Sequence, residues 1–140
     1  MDRLQRFIDA QDEGYRIAYK EMKRGKKMSH WIWFVFPQLK GLGKSIMSDE
    51  YGLLMDEVRP YLQHPILSLR LRNICNVLLE HKNRDIVRIM GTELDVMKLQ
   101  ASMTLFDYYS PGDVFKEVLD AFFQGNKHEK TLKLIKYVQE

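Results

Sequence analysis

Apolar residues recur every three to four positions along most of this chain, in short runs punctuated by glycine, proline and capping residues. That period puts them on one face of an α-helix and leaves little of the alternation a half-buried strand requires. Leu4, Phe7, Ile8, Gln11, Tyr15, Ala18 and Met22 form the first such face, with Asp2 as its start signal, Gly25 as its stop, and Gly14 as a point of division. A second helix is expected from about Ser48, striped by Tyr51, Leu54, Met55, Val58, Tyr61 and Leu62. Pro60 lies inside it and removes a backbone donor, which predicts a kink or an early end. His64-Pro65 reads as a break, because proline suits the first turn of a following helix. That helix faces inward through Leu67, Leu71, Ile74 and Leu78.

Asn83 is the expected cap of a short helix ending at Gly91. Thr92 and Asp95 have the spacing of a capping box. The helix they open is expected to reach about Tyr108 and to bury Leu94, Met97, Ala101, Leu105 and Tyr108. Ser110-Pro111-Gly112-Asp113 starts another, with Phe115, Val118, Leu119 and Phe122 inside, and the last carries Leu132, Ile135 and Val138. Trp31 to Phe36 is continuously apolar and aromatic, a composition that favours strand. A lone strand would leave its backbone groups unpaired. We therefore expect a short buried helix there, capped by Ser29 and ended by Pro37.

The expected fold is all-α: a compact single-domain bundle of about six to eight short helices spanning residues 1–140. The chain is 45% apolar and 29% charged, too apolar for disorder over most of its length. Cys75 is the sole cysteine, so no internal disulfide forms, and a reducing, cytoplasmic setting is expected. Residues 1–11 are charged and periodic, unlike a secretory leader. No apolar run approaches the roughly 20 residues of a membrane span, so no membrane partner is expected.

Gly41-Leu42-Gly43-Lys44-Ser45 imitates the end of a phosphate-binding loop, but Gln38 stands where the motif needs its first glycine. A glycine-rich turn is the expectation. Lys23-Arg24-Gly25-Lys26-Lys27 is a basic cluster beside Trp31; a net charge of +3 argues against a dedicated nucleic-acid partner, and a solvated helix end is expected. His30, His64, His81 and His128 show no metal-ligand spacing, so no metal site is expected. Asp95, Lys98 and Ser102 share one helix face beside the apolar one, so Lys98 is placed to line a cleft.

The stretch from Lys27 to Ser45, with Ser29, His30, Trp31, Trp33, Phe34, Phe36, Pro37, Gln38, Gly41, Leu42 and Gly43 at fixed spacing, resembles the signature of the bacterial family known as domain of unknown function 1810. Tyr61, Leu62, His64, Pro65, Leu67, Arg70 and Leu71 extend the resemblance, as does the run from Asp95 through Lys98, Ser102 and Thr104 to Phe106. The resemblance covers nearly the whole chain and implies a compact helical domain. It implies no reaction, cofactor or catalytic residue. The chain departs from the family pattern at Glu57-Val58-Arg59-Pro60, where an alanine-rich run is usual, and at Ala101, where a second serine is common.

Distinctive polar and aromatic residues gather in the matched motifs. The expected function is a cleft that binds a small anionic or phosphorylated ligand, built from Lys27, His30, Trp33, Gln38, His64, Arg70, Lys98 and Ser102. Lys27, Arg70 and Lys98 would supply charge, Gln38 and Ser102 orientation, and Trp33 a stacking wall. The alternative is a helical protein-interaction module in which those groups are caps and buried ties, or weak nucleic-acid binding through residues 23–27.

Overall fold

The structure, a computed structural model, describes residues 2–139 and contains nine helices among them. They are α1 (Gln5–Arg24), α2 (Ile32–Val35), α3 (Ile46–Tyr51), α4 (Met55–Gln63), α5 (Pro65–Leu79), α6 (Ile86–Met90), α7 (Glu93–Tyr109), α8 (Val114–Phe123) and α9 (Glu129–Gln139). The fold is all-α, with one more helix than the upper end of the expected range.

The stop signals act as their chemistry dictates. Gly25 ends α1 in the left-handed region at φ 80°, which a residue with a Cβ rarely adopts, and its amide bonds back to the Glu21 and Met22 carbonyls. Pro65 occupies the first turn of α5, and Asp113 caps α8 through the Val114 amide at 2.7 Å. Gly14 does not divide α1; it lets Phe34 pack where a Cβ would stand, 2.6 Å from the ring. Pro60 is accommodated within α4, which continues to Gln63.

The helix expected from Ser48 is two. Ser45 caps α3, and the chain then runs extended through Gly52 and Leu53 before α4. The interruption is a parallel bridge between Leu39 and Leu53, closed by Lys40 N–H to Leu53 O and Leu53 N–H to Gln38 O, both 2.9 Å. Gly52 permits it, since a Cβ there would fall 2.6 Å from the Lys40 Cα. Trp31–Phe36 does form a short buried helix, but Trp31 and not Ser29 stands at its cap position. Asp85, not Asn83, caps α6.

α5, α7 and α8 meet around Phe106, Phe115 and Cys75, all fully buried, and α1 closes over α5, where Tyr15 donates to the Arg70 carbonyl at 2.9 Å, while Phe7 packs edge-on against Tyr61 of α4. Residues Leu99 and Ala101 to Asp107 of α7 are buried on nearly every side, whereas Leu94, Met97 and Tyr108, expected inside, are exposed. The cause at the amino-terminal end is orientation: there α7 turns Asp95 and Lys98 toward its neighbours, so Leu94 and Met97 fall on its outer face, whereas the middle of the helix is enclosed by the bundle. Val138 of α9 is likewise exposed. Burial pushes the Cys75 thiol up from its ordinary pKa.

Candidate functional site: a two-lysine cleft beside Trp33

The site begins with a buried acid. Glu21 lies near the end of α1 on its buried side. Its carboxylate accepts from the Met28 amide (2.7 Å), the Ser29 amide (2.9 Å), the Ser29 hydroxyl (2.5 Å) and the Trp31 indole N–H (2.9 Å). Burial opposes its charge, but these donors outweigh burial and hold the carboxyl below its usual pKa. The result is a fixed loop between α1 and α2 that turns Lys27 inward.

Lys27 is anchored at both ends. Its amide donates to the Ile89 carbonyl at 2.7 Å, which ties the loop to α6. Its ammonium donates to the Ser29 carbonyl at 2.6 Å, meets Asp95 Oδ2 at 2.8 Å and lies 5.0 Å from the Trp31 ring centroid. Only 6% of the Lys27 side chain is exposed.

Asp95 sits in the first turn of α7. Thr92 caps that helix by accepting from the Asp95 amide at 3.1 Å. The Asp95 carboxylate does not complete the capping box; it is drawn to Lys27 instead. Lys98 lies one turn on, 3.7 Å from Asp95 Oδ1, which is an ionic contact and too long for a hydrogen bond. Its ammonium stands 4.7 Å from the Trp33 ring centroid. Among the described residues it has no hydrogen-bond acceptor, although 13% of the side chain is exposed. An ammonium carries three donors. Lys98 is therefore an underused cation held in place by an indole and a distant carboxylate.

These groups line a cleft of about 410 Å³ between the α1–α2 loop and the amino-terminal turn of α7. Lys27, His30, Trp33 and Lys98 come together there, with Thr92 and Asp95. Gln38 lies behind them, where Trp33, Ser48 and Lys98 enclose a space of about 10 Å³. The Trp33 indole nitrogen is buried with no partner among the described residues.

Three of the expected site residues lie elsewhere or face away. Ser102 is one turn beyond Lys98 on α7, fully buried, its hydroxyl unpartnered among the described residues. His64 caps α5, its Nδ1 accepting from the Ile66 and Leu67 amides at 3.2 and 3.3 Å. Arg70 donates to Gln11 at 3.4 Å and lies 5.5 Å from the Tyr15 ring centroid, so it supplies no charge to the cleft. Glu21 and Thr92 were not among the expected residues. Glu21 has a sequence signal in its place beside Ala18 and Met22 on the apolar face; Thr92 has only its capping pattern.

The other motifs are absorbed by the fold. The Ser45 hydroxyl accepts from the Ser48 amide at 3.0 Å and caps α3. In the basic cluster, Lys23 pairs with Glu80 at 3.0 Å and Lys27 turns inward, which leaves Arg24 and Lys26 in solvent.

Among the described residues no helix is long and apolar enough to cross a membrane. The molecule is thus an all-α domain with a charged cleft where its first loop meets α7. A solved structure of this class is the conserved hypothetical protein Rv1873 from Mycobacterium tuberculosis, 38% identical, with a TM-score of 0.89 over 94% of each chain. The chain belongs to the family described as protein of unknown function DUF1810, which it matches over residues 1–135. Among curated proteins none matches it.

Proposed function

We propose that the cleft binds a small anionic molecule, with Lys98 as its principal contact. The observation that carries this reading is the state of the Lys98 ammonium: largely buried, 3.7 Å from a carboxylate already engaged by Lys27, and without a hydrogen-bond acceptor among the described residues. An anion entering the cleft would supply charge-assisted acceptors, the stronger kind of hydrogen bond. The amino-terminal turn of α7 adds partial positive charge on the same side. The Trp33 ring steadies the Lys98 ammonium at 4.7 Å, and Asp95 keeps both cations in register. No step of catalysis follows from these groups.

An interaction module would use the polar motif residues as caps and ties. His64, Arg70 and Ser102 suit that role, and Lys27 partly does. It offers no account of Lys98. The two readings separate experimentally. Native mass spectrometry of protein purified without phosphate or sulfate, followed by thermal-shift titration with inorganic phosphate, should reveal a bound anion or a saturable rise in melting temperature. The response should vanish in Lys98→Met. An identical response in Lys98→Met would place the anion elsewhere and defeat the reading.

A further inference from the structure

The cleft is charged below and apolar above. Met28 and Leu94, on its two opposing walls, are 71% and 56% exposed, and both line the opening together with the partly exposed Trp33 and with His30. Exposed apolar side chains set around polar groups mark surfaces that expect contact. Methionine adapts to flat partners and makes favourable sulfur–ring contacts. A bare inorganic anion would use the floor and leave this rim unoccupied.

The floor also limits charge. Lys27 and Lys98 contribute two positive charges and Asp95 one negative, a sum of +2 − 1 = +1. Asp95 would repel any further negative group brought close, because like charges in a partly buried site are unfavourable. A chain of phosphates is poorly matched to such a floor. One compact anionic group is well matched.

From these two features we infer that the ligand is an aromatic molecule carrying one anionic group, a carboxylate or a phosphate monoester. The anion sits at Lys98, and the ring lies in the rim formed by Trp33, Met28 and Leu94. This rests on the anion-cleft reading and narrows it. The affinity then has two separable parts: charge from the lysine floor and ring contact from the rim. Stacking of a flat ring on an aromatic side chain is worth about a tenfold gain or more in affinity.

The experiment uses the whole protein and five probes, inorganic phosphate, pyrophosphate, glycerol phosphate, phenyl phosphate and benzoate, titrated by calorimetry and followed by tryptophan fluorescence. Phenyl phosphate should bind about tenfold or more tightly than glycerol phosphate and should perturb Trp33 emission. Pyrophosphate should bind no better than inorganic phosphate. The exposed substitutions Met28→Ser and Leu94→Ser, which leave the core intact, should each reduce the preference for phenyl phosphate and leave inorganic phosphate binding unchanged. Equal affinity for all three monophosphates would overturn the aromatic inference and leave the anion cleft standing. Binding by none of the five probes would overturn both.

Discussion

Lys27 and Lys98 share one carboxylate, yet the geometry assigns them different work, and methionine at each position should expose it. Lys27→Met removes a 2.8 Å ion pair between side chains that are 6% and 15% exposed, together with the bond to the Ser29 carbonyl. Asp95 is then left with only the distant Lys98. Removing one member of a buried pair costs about 3–5 kcal/mol. Lys98→Met removes a 3.7 Å contact that resembles a helical i,i+3 pair, worth about 0.2–0.5 kcal/mol. It also removes a cation–ring contact worth about 0.5–2 kcal/mol. The new thioether can recover about 0.3–1.5 kcal/mol against Trp33. The net change should lie between a gain of about 0.8 and a loss of about 2.2 kcal/mol, a shift of at most several degrees in melting temperature for a chain of this size. Urea denaturation followed by far-ultraviolet circular dichroism measures both variants. Lys27→Met should be the less stable by at least about 0.8 kcal/mol, the gap between these ranges. Adding Asp95→Leu to Lys27→Met should restore part of the loss, because the orphaned carboxylate goes with it. Equal destabilisation by the two single changes would refute the division of labour, and so would a Lys27→Met protein as stable as wild type.

Glu21→Gln keeps the shape of the side chain but removes its charge and turns one acceptor oxygen into a donor, so the bonds from the Met28 and Ser29 amides, the Ser29 hydroxyl and the Trp31 indole are weakened or lost. A loss of about 1–3 kcal/mol is expected, with altered tryptophan emission, and an unchanged denaturation curve would contradict the role given to Glu21. His128 accepts from the Thr131 amide at 3.3 Å at the start of α9, and burial, then the nearby Lys130 charge, lowers its pKa. The unfolded chain therefore takes up the proton first as pH falls, so stability present above about pH 6.5 should decline below it. In His128→Asn, which keeps a capping acceptor, the urea midpoint should lose that dependence. The Gly41–Ser45 turn should show no magnesium-dependent ATP binding by calorimetry, while Ser45→Ala should cost about 1 kcal/mol through loss of the α3 cap.

Helix ends written in neighbouring residues were readable from the sequence: Gly25, Pro65, Gly91, Thr92 and Asp113 each act through groups within a few positions. The break between α3 and α4 was not, because it depends on Leu53 pairing with Leu39 across the fold. The apolar stripe of α7 misled for a related reason. A helix surrounded at its middle buries polar Ser102, Thr104 and Asp107 along with its apolar residues, and periodicity has no term for which segment is surrounded. The site follows the same division. Lys98 beside an apolar face was legible from local spacing. Its sharing of Asp95 with Lys27 was not, since those partners are brought together only when the α1–α2 loop docks against α6 and α7. His64 and Arg70 carry the polar chemistry of site residues but are used for capping and packing.

The placement of Cys75 makes the molecule its own stability gauge. The chain has one thiol, and it is fully buried where α5, α7 and α8 meet, with its Sγ 3.7 Å from the Met103 sulfur. An alkylating reagent can reach it only when that junction opens, and burial keeps the reactive thiolate scarce until then. If opening and reclosing are fast beside the chemistry, the labelling rate in native buffer is proportional to the population of the open form. The wild-type protein and each variant above can then be ranked without denaturant, by the time one maleimide takes to attach.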